Sequence, residues 1–147
     1  MTLVFLDTNI PLYAAGGEHP LKEPCRLILL LAAEHPASFV TDVEVFQEIM
    51  HRAMSLRRWA QGRQVMAAFA DLMEGRVEPV HYRDVQLAAE LADTLPDVQS
   101  RDLLHAAVIK RLGARRIVSA DTGFDRIPGL ERLEPSRFNE WRRIIET

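Results

Sequence analysis

Val4-Phe5-Leu6-Asp7-Thr8-Asn9, near the start of the chain, and Ile117-Val118-Ser119-Ala120-Asp121, near its end, share one form: a short apolar run that closes on an aspartate. Segments with helical periodicity lie between them, so the runs read as strands of a mostly parallel sheet. Open sheets of that kind gather their ligands at the carboxyl ends of the strands. Asp7 and Asp121 are therefore expected at one edge of the molecule, although they are far apart in the chain.

Working outward, residues 3–6 form the first strand, and a short helix runs to about Tyr13 and breaks at Gly16-Gly17. Pro20 and Pro24 flank entry to an apolar helix carrying Leu27, Ile28, Leu30 and Leu31. Residues 38–40 read as a second strand. Thr41-Asp42-Val43-Glu44 then has capping-box spacing, with Thr41 as N-cap and Glu44 three positions on. The helix it opens presents Val45, Phe46, Ile49, Met50 and Ala53 on one face and runs to about Arg58. Gly62 separates it from a second helix with Val65, Met66, Phe69, Leu72 and Met73, the pair forming a hairpin. Residues 77–81 are a third strand and 84–95 a helix stopped by Pro96. Ser100 caps a helix over 101–112 that Gly113 ends. Residues 116–119 and 130–133 are the fourth and fifth strands, and 135–145 a terminal helix. Alternating strands and helices imply a single domain over 1–147, a three-layer α/β/α sandwich around a sheet of four or five strands.

The composition suits that reading. At 147 residues, 48% hydrophobic and 27% charged, the chain supports a buried core and lacks the signature of disorder. One cysteine, Cys25, permits neither an internal disulfide nor a thiolate zinc site, which fits a reducing cytoplasm and leaves oxygen ligands as the plausible metal chemistry. Residues 3–6 and 27–33 are too short for a membrane span. The net charge of −3 lacks the basic balance of phosphate-dominated binding, although a cluster of metal-binding acids would itself lower it. The pairs Arg57-Arg58, Arg115-Arg116 and Arg142-Arg143 read as solvated surface.

Each acid has a local explanation. Asp7 suits a helix cap, but Thr8 and Asn9 could do the same work. Glu48 could pair with Arg52 on a solvated face. Asp102 sits in the first turn of a helix, where the dipole favours negative charge, and His105 one turn on is a base, a ligand or, more simply, a structural partner among apolar neighbours. Asp121 and Asp125 occupy a turn around Gly123; Asp125 is the better candidate for a local role. Only convergence of the set would argue for chemistry.

In these blocks the chain resembles the PIN-domain family, specifically the short VapC-type toxins of VapBC toxin-antitoxin pairs. The resemblance covers nearly the whole chain and rests on residues 4–9, the Glu48 helix, Arg101-Asp102-Leu103-Leu104-His105-Ala106-Ala107 and the stretch from Ile117 to Pro135. It implies a PIN-like fold and an acidic quartet of Asp7, Glu48, Asp102 and Asp121. Asp7, Asp102 and Asp121 would bind Mg²⁺ or Mn²⁺, with Asp125, Ser119, Thr8 and Asn9 as accessory groups. Ser119 stands where a threonine is frequent, which keeps a hydroxyl there. The resemblance further implies an endoribonuclease acting on RNA, a homodimer, and inhibition by a small VapB-like antitoxin. The rival reading is a catalytically silent scaffold that binds RNA or protein. Haloacid-dehalogenase chemistry is disfavoured because Asn9 replaces the second acid of its Asp-x-Asp pair, and a receiver domain because Val80-His81-Tyr82 offers no phosphoacceptor.

Overall fold

The computed structural model describes residues 2–147. Five short strands, β1 (Val4–Leu6), β2 (Phe39–Asp42), β3 (Val77–Glu78), β4 (Arg116–Val118) and β5 (Glu131–Leu133), form a sheet in the order β3-β2-β1-β4-β5 in which every pairing is parallel. β1 lies at the centre. It pairs through Val4 and Phe5 with Phe39 and Val40 on one side, and through Val4, Phe5 and Leu6 with Arg116, Ile117 and Val118 on the other. All residues of β1 and β2 are buried, as strands covered on both faces must be.

The cover comes from α1 (Asn9–Ala15), α2 (Lys22–Glu34), α3 (Val43–Ser55), α4 (Trp59–Leu72), α5 (Tyr82–Thr94) and α6 (Ser100–Arg111), packed chiefly as the pairs α1 with α2, α3 with α4, and α5 with α6. Helix α6 buries Asp102, Leu103, His105, Ala106, Ala107, Val108 and Ile109, so little of its circumference meets solvent. The expected α/β/α sandwich is the observed architecture. Because the strand order reverses between β1 and β4, the segments after these two strands open away from each other and leave a crevice at the carboxyl edge.

Several local expectations change. Thr41 is in β2 and donates its hydroxyl hydrogen bond to the Leu6 carbonyl at 3.0 Å, while Asp42 caps α3 by accepting from the Val45 amide at 3.0 Å. The cap lies one residue later because a buried threonine hydroxyl on an internal strand has an acceptor across the sheet. Glu44 is thereby relieved of the capping-box role. The third strand stops at Glu78, and α5 begins with a His81–Asp84 capping box. Pro24 lies within the first turn of α2, where a missing amide hydrogen costs nothing. The terminal segment is a 3₁₀ turn over Pro135–Arg137 followed by α7 (Phe138–Trp141) and α8 (Arg143–Glu146), anchored where Trp141 Nε1 donates to the Glu134 carbonyl at 2.8 Å.

Gly62 is inside α4, not between helices. The break between α3 and α4 falls at Leu56-Arg57-Arg58, where Arg57 takes a positive φ of 56°. Gly62 is required by proximity: a β-carbon there would lie 2.3 Å from the β-carbon of Ala53 on α3. Alanine's better helix propensity, about 1 kcal/mol, is opposed by overpacking against a short, unyielding side chain, roughly 1–3 kcal/mol. Gly62→Ala is therefore expected to lower the thermal midpoint. Adding Ala53→Gly should recover most of the loss, and thermal melts of the parent and the two variants read this directly.

Candidate active site

The Leu6 strand ends at Asp7, whose carboxylate is oriented by groups from both sides of the crevice. Its Oδ1 accepts from the Thr8 amide at 2.8 Å, and its Oδ2 accepts from the Ser119 hydroxyl at 2.6 Å and from Asn9 Nδ2 at 3.2 Å. Asn9 reciprocates across the sheet by accepting from the Ala120 amide at 3.2 Å, and the Ser119 oxygen accepts from the Asp121 amide at 3.0 Å. The ends of β1 and β4 are thus tied by side chains, which fixes where the two aspartates emerge. Burial raises the Asp7 carboxyl above the ordinary aspartate range, against the opposing pull of His105 and of its own hydrogen bonds.

A second strut comes from α3 and α6. His105 is fully buried, with its ring 5.2 Å from that of Phe5. Its Nδ1 is 2.8 Å from Asp42 Oδ2 and its Nε2 is 2.7 Å from Glu48 Oε1. A neutral imidazole would turn one bare nitrogen toward a carboxylate, so the arrangement calls for an imidazolium that donates to both acids. Desolvation opposes that charge, but the two carboxylates prevail and hold His105 well above the usual histidine range. Glu48 also accepts from the Thr8 hydroxyl at 2.7 Å. It is partly buried, and although desolvation opposes ionisation, the His105 and Thr8 contacts bring its carboxyl below the ordinary range.

Asp102, in the first turn of α6, faces Asp121. Burial, reinforced by the hydrogen bond and charge of Asp121 and by Asp7, pushes its carboxyl up to about 7. Asp121 caps the 3₁₀ turn Thr122–Arg126 by accepting from the Gly123 amide at 2.8 Å. A β-carbon on Gly123 would come within 3.1 Å of Asp121 Oδ1 and 3.6 Å of Asp102 Oδ2, so the missing side chain leaves the space beside both carboxylates open.

Asp7, Glu48, Asp102 and Asp121 all line one cleft of about 470 Å³ at this edge, together with Thr8 and Asn9. Ser119 lies beneath, fully buried. Asp125 is not among the lining residues; it accepts from Arg132 Nε at 2.9 Å and Nη2 at 3.2 Å, while Arg132 Nη1 donates to the Ser119 carbonyl at 3.0 Å and contacts Glu134. Asp125 thus braces the loop after β4 from outside.

Some partnerships differ from those the sequence suggests. Glu48 turns to His105 and Thr8, and Arg52, the expected partner of Glu48, is an exposed lining residue of the cleft instead, as is Arg101. Arg142, in one of the basic pairs, bonds Glu146, in keeping with a surface role. Asp42 was missed, and nothing local signals it beyond the cap it provides. An Asp7, Glu48 and His105 ligand atom lie within 4.8 Å of one another. Both His105 nitrogens are already engaged, so the donor set free for a cation is carboxylate oxygen.

The PIN domain family profile matches residues 4–130. The chain belongs to the PIN-domain family. Among its PIN-domain relatives, a VapC ribonuclease of Mycobacterium bovis is 34% identical over 134 residues, covering 89% of this chain and 99% of the relative. Ribonuclease VapC23 of Mycobacterium tuberculosis is 34% identical over 81% of this chain and 93% of its own length. The PIN fold also matches a solved structure of VapBC2 from Rickettsia felis bound to a DNA fragment from its promoter, with a TM-score of 0.71 at 20% identity, covering 90% of this chain and 98% of the other.

The crowding of Asp102 has a measurable consequence. In an unfolded chain an aspartate ionises near pH 4, whereas in the fold Asp102 holds its proton to about 7. The unfolded state therefore loses that proton first, and stability falls as pH rises between those values. Asp102→Asn should flatten this part of the profile and stabilise the metal-free protein above neutrality by at least about 1 kcal/mol, since one pKa unit corresponds to about 1.4 kcal/mol. Urea titrations in chelator from pH 4 to pH 8 check both outcomes.

Proposed function

We propose that this chain is a divalent-metal-dependent endoribonuclease toxin of a type II toxin-antitoxin pair. The supporting observation is the convergence of Asp7, Glu48, Asp102 and Asp121 on one cleft at the reversal point of the sheet. A hard cation such as Mg²⁺ or Mn²⁺ fits this donor set, because the available ligands are carboxylate oxygens and because Asp102 and Asp121 are pressed together beside an open cradle at Gly123. Asp7, Asp102 and Asp121 are the residues that would hold it. When bound, the cation would lower the pKa of a water, grip the scissile phosphate and neutralise charge built up during in-line displacement.

The chain's own groups account for the remaining tasks. Thr8, Asn9 and Ser119 orient Asp7 before any substrate arrives. Glu48, ionised and held between His105 and Thr8, is suited to orient the attacking water and take its proton. Arg52 and Arg101, exposed along the cleft, supply positive charge for flanking phosphates that the net composition conceals. Water attack leaves a 5′-phosphate and a 3′-hydroxyl, whereas attack by the ribose 2′-hydroxyl would leave a cyclic phosphate.

The partner reading follows the relatives, which are named VapC ribonucleases or are solved as VapBC complexes. A small VapB-like antitoxin would silence the enzyme. Homodimerisation is the accompanying expectation; α3 exposes Val43, Met50 and Met54, while Trp59 on α4 is half-buried with the Arg63 guanidinium 5.3 Å from its ring centre. No helix among the described residues is long and apolar enough to cross a membrane, and a cytoplasmic setting completes the proposal.

Mn²⁺ at 100 times its dissociation constant should stabilise the native protein by about 2.7 kcal/mol if it binds only that state. Asp7→Asn should fold, lose most of this shift and cut at the metal-free background. End-group analysis of RNA digested by the parent chain should find 5′-phosphates. Absence of both the metal shift and any cleavage by antitoxin-free protein would favour the silent scaffold.

A further inference from the structure

Glu48 is the one member of the quartet that reaches the cleft from α3, and its carboxylate has no backbone donor to orient it. What it has is a side-chain chain that begins away from the cleft. Asp42, fully buried at the end of β2, uses Oδ1 to cap α3 through the Val45 amide and Oδ2 to receive His105. The opposite edge of the same ring reaches Glu48 Oε1, and Thr8 occupies Oε2. Neither Asp42 nor His105 lines the cleft. Both acids are met by one rigid, fully buried ring that cannot rotate without breaking two charge-assisted bonds.

We propose that Asp42 and His105 are positioning residues for the cleavage reaction, a buried relay that fixes the Glu48 carboxylate toward the cleft. This rests on the ribonuclease reading above, because it assigns Glu48 a task in that reaction. Each end of the relay is independently anchored. The N-terminal turn of α3 immobilises Asp42, and the apolar packing of α6 immobilises His105. The orientation of Glu48 is therefore set by the core and does not depend on substrate. A buried ion pair kept only for stability would not require one histidine to span two acids with one of them opening onto a cleft.

Two amide substitutions separate the halves of the relay. In His105→Gln the amide nitrogen can stand near the position of Nε2 and still donate to Glu48; in His105→Asn it stands near Nδ1 and serves Asp42, leaving Glu48 without that donor. Asp42→Asn keeps an oxygen for the α3 cap and removes the charge opposite Nδ1. With full-length protein, Mn²⁺ and a single-stranded RNA, kcat on the folded fraction is expected to fall most in His105→Asn, on the order of ten- to a hundredfold, the range for groups that orient a functional side chain. His105→Gln should retain more, and KM should change little in either. Crystal structures should show Glu48 in more than one rotamer in His105→Asn and in a single rotamer in His105→Gln.

Equal kcat in the two histidine variants, matched to the parent once folded fraction is corrected, would overturn the relay while leaving the ribonuclease reading intact. A parent chain that binds Mn²⁺ but cuts no RNA would overturn both. If the histidine variants do not fold, Asp42→Asn decides: parental kcat with a single Glu48 rotamer refutes the proposal, and a reduced kcat with a disordered Glu48 supports it.

Discussion

One imidazolium sealed between two carboxylates carries a disproportionate share of this structure. His105 has no access to water, so its charge exists only because Asp42 and Glu48 supply what solvation would. The converse holds equally: without a cation in the core, two acids would be left facing each other across a poorly solvated gap, and breaking such a pair by removing one partner costs about 3–5 kcal/mol. The ring thereby ties the middle of α6 to the β2–α3 junction at Asp42 and to the middle of α3 at Glu48. The fold tolerates a concentration of negative charge at one edge because a positive charge is built in beneath it.

That edge is defined by the sheet. Parallel pairing of β1 with β4 in register brings Leu6 opposite Val118, and the residues that follow diverge over a gap instead of continuing to pair. Thr8, Asn9, Ser119 and the Ala120 amide fill the gap with hydrogen bonds, so Asp7 is held more firmly than a residue at a loop tip would be. Asp102 and Asp121 are the counterpart to this order. Burial of Asp102, reinforced by the nearby Asp121, is retained in the native state and appears as a proton held to about neutrality on Asp102. Locally unfavourable charge at a well-formed edge is a common mark of a site prepared for an ion or a reaction.

The sheet and the two aspartates at its edge were legible in the chain because both signals are local: an apolar run followed directly by an acid, repeated, with helices between. Glu48 and Asp102 were legible only as members of a set, since each had an adequate local explanation in Arg52 or the helix dipole. His105 read as a structural partner, but its actual partners were not legible, because they are 63 and 57 residues away and no nearby spacing announces them. Asp42 was hidden by a near coincidence, as Thr41 and Asp42 are both good caps and the choice depends on a carbonyl in a neighbouring strand. Gly62 looked like a helix breaker because its real constraint, the side chain of Ala53, belongs to another helix.

The two walls of the cleft differ in how they are held. The β4 side is clamped by Arg132, which grips Asp125, Glu134 and the Ser119 carbonyl at once. The other wall ends at the α3–α4 elbow, where Ser55 and Leu56 face the opening, both are exposed, and Arg57 adopts its left-handed turn. Substitutions at the elbow reshape the mouth without disturbing any bond that aligns the acids. Such a division leaves the mouth free to change shape while the reacting groups stay put, because the elbow is exposed and contributes little to the core.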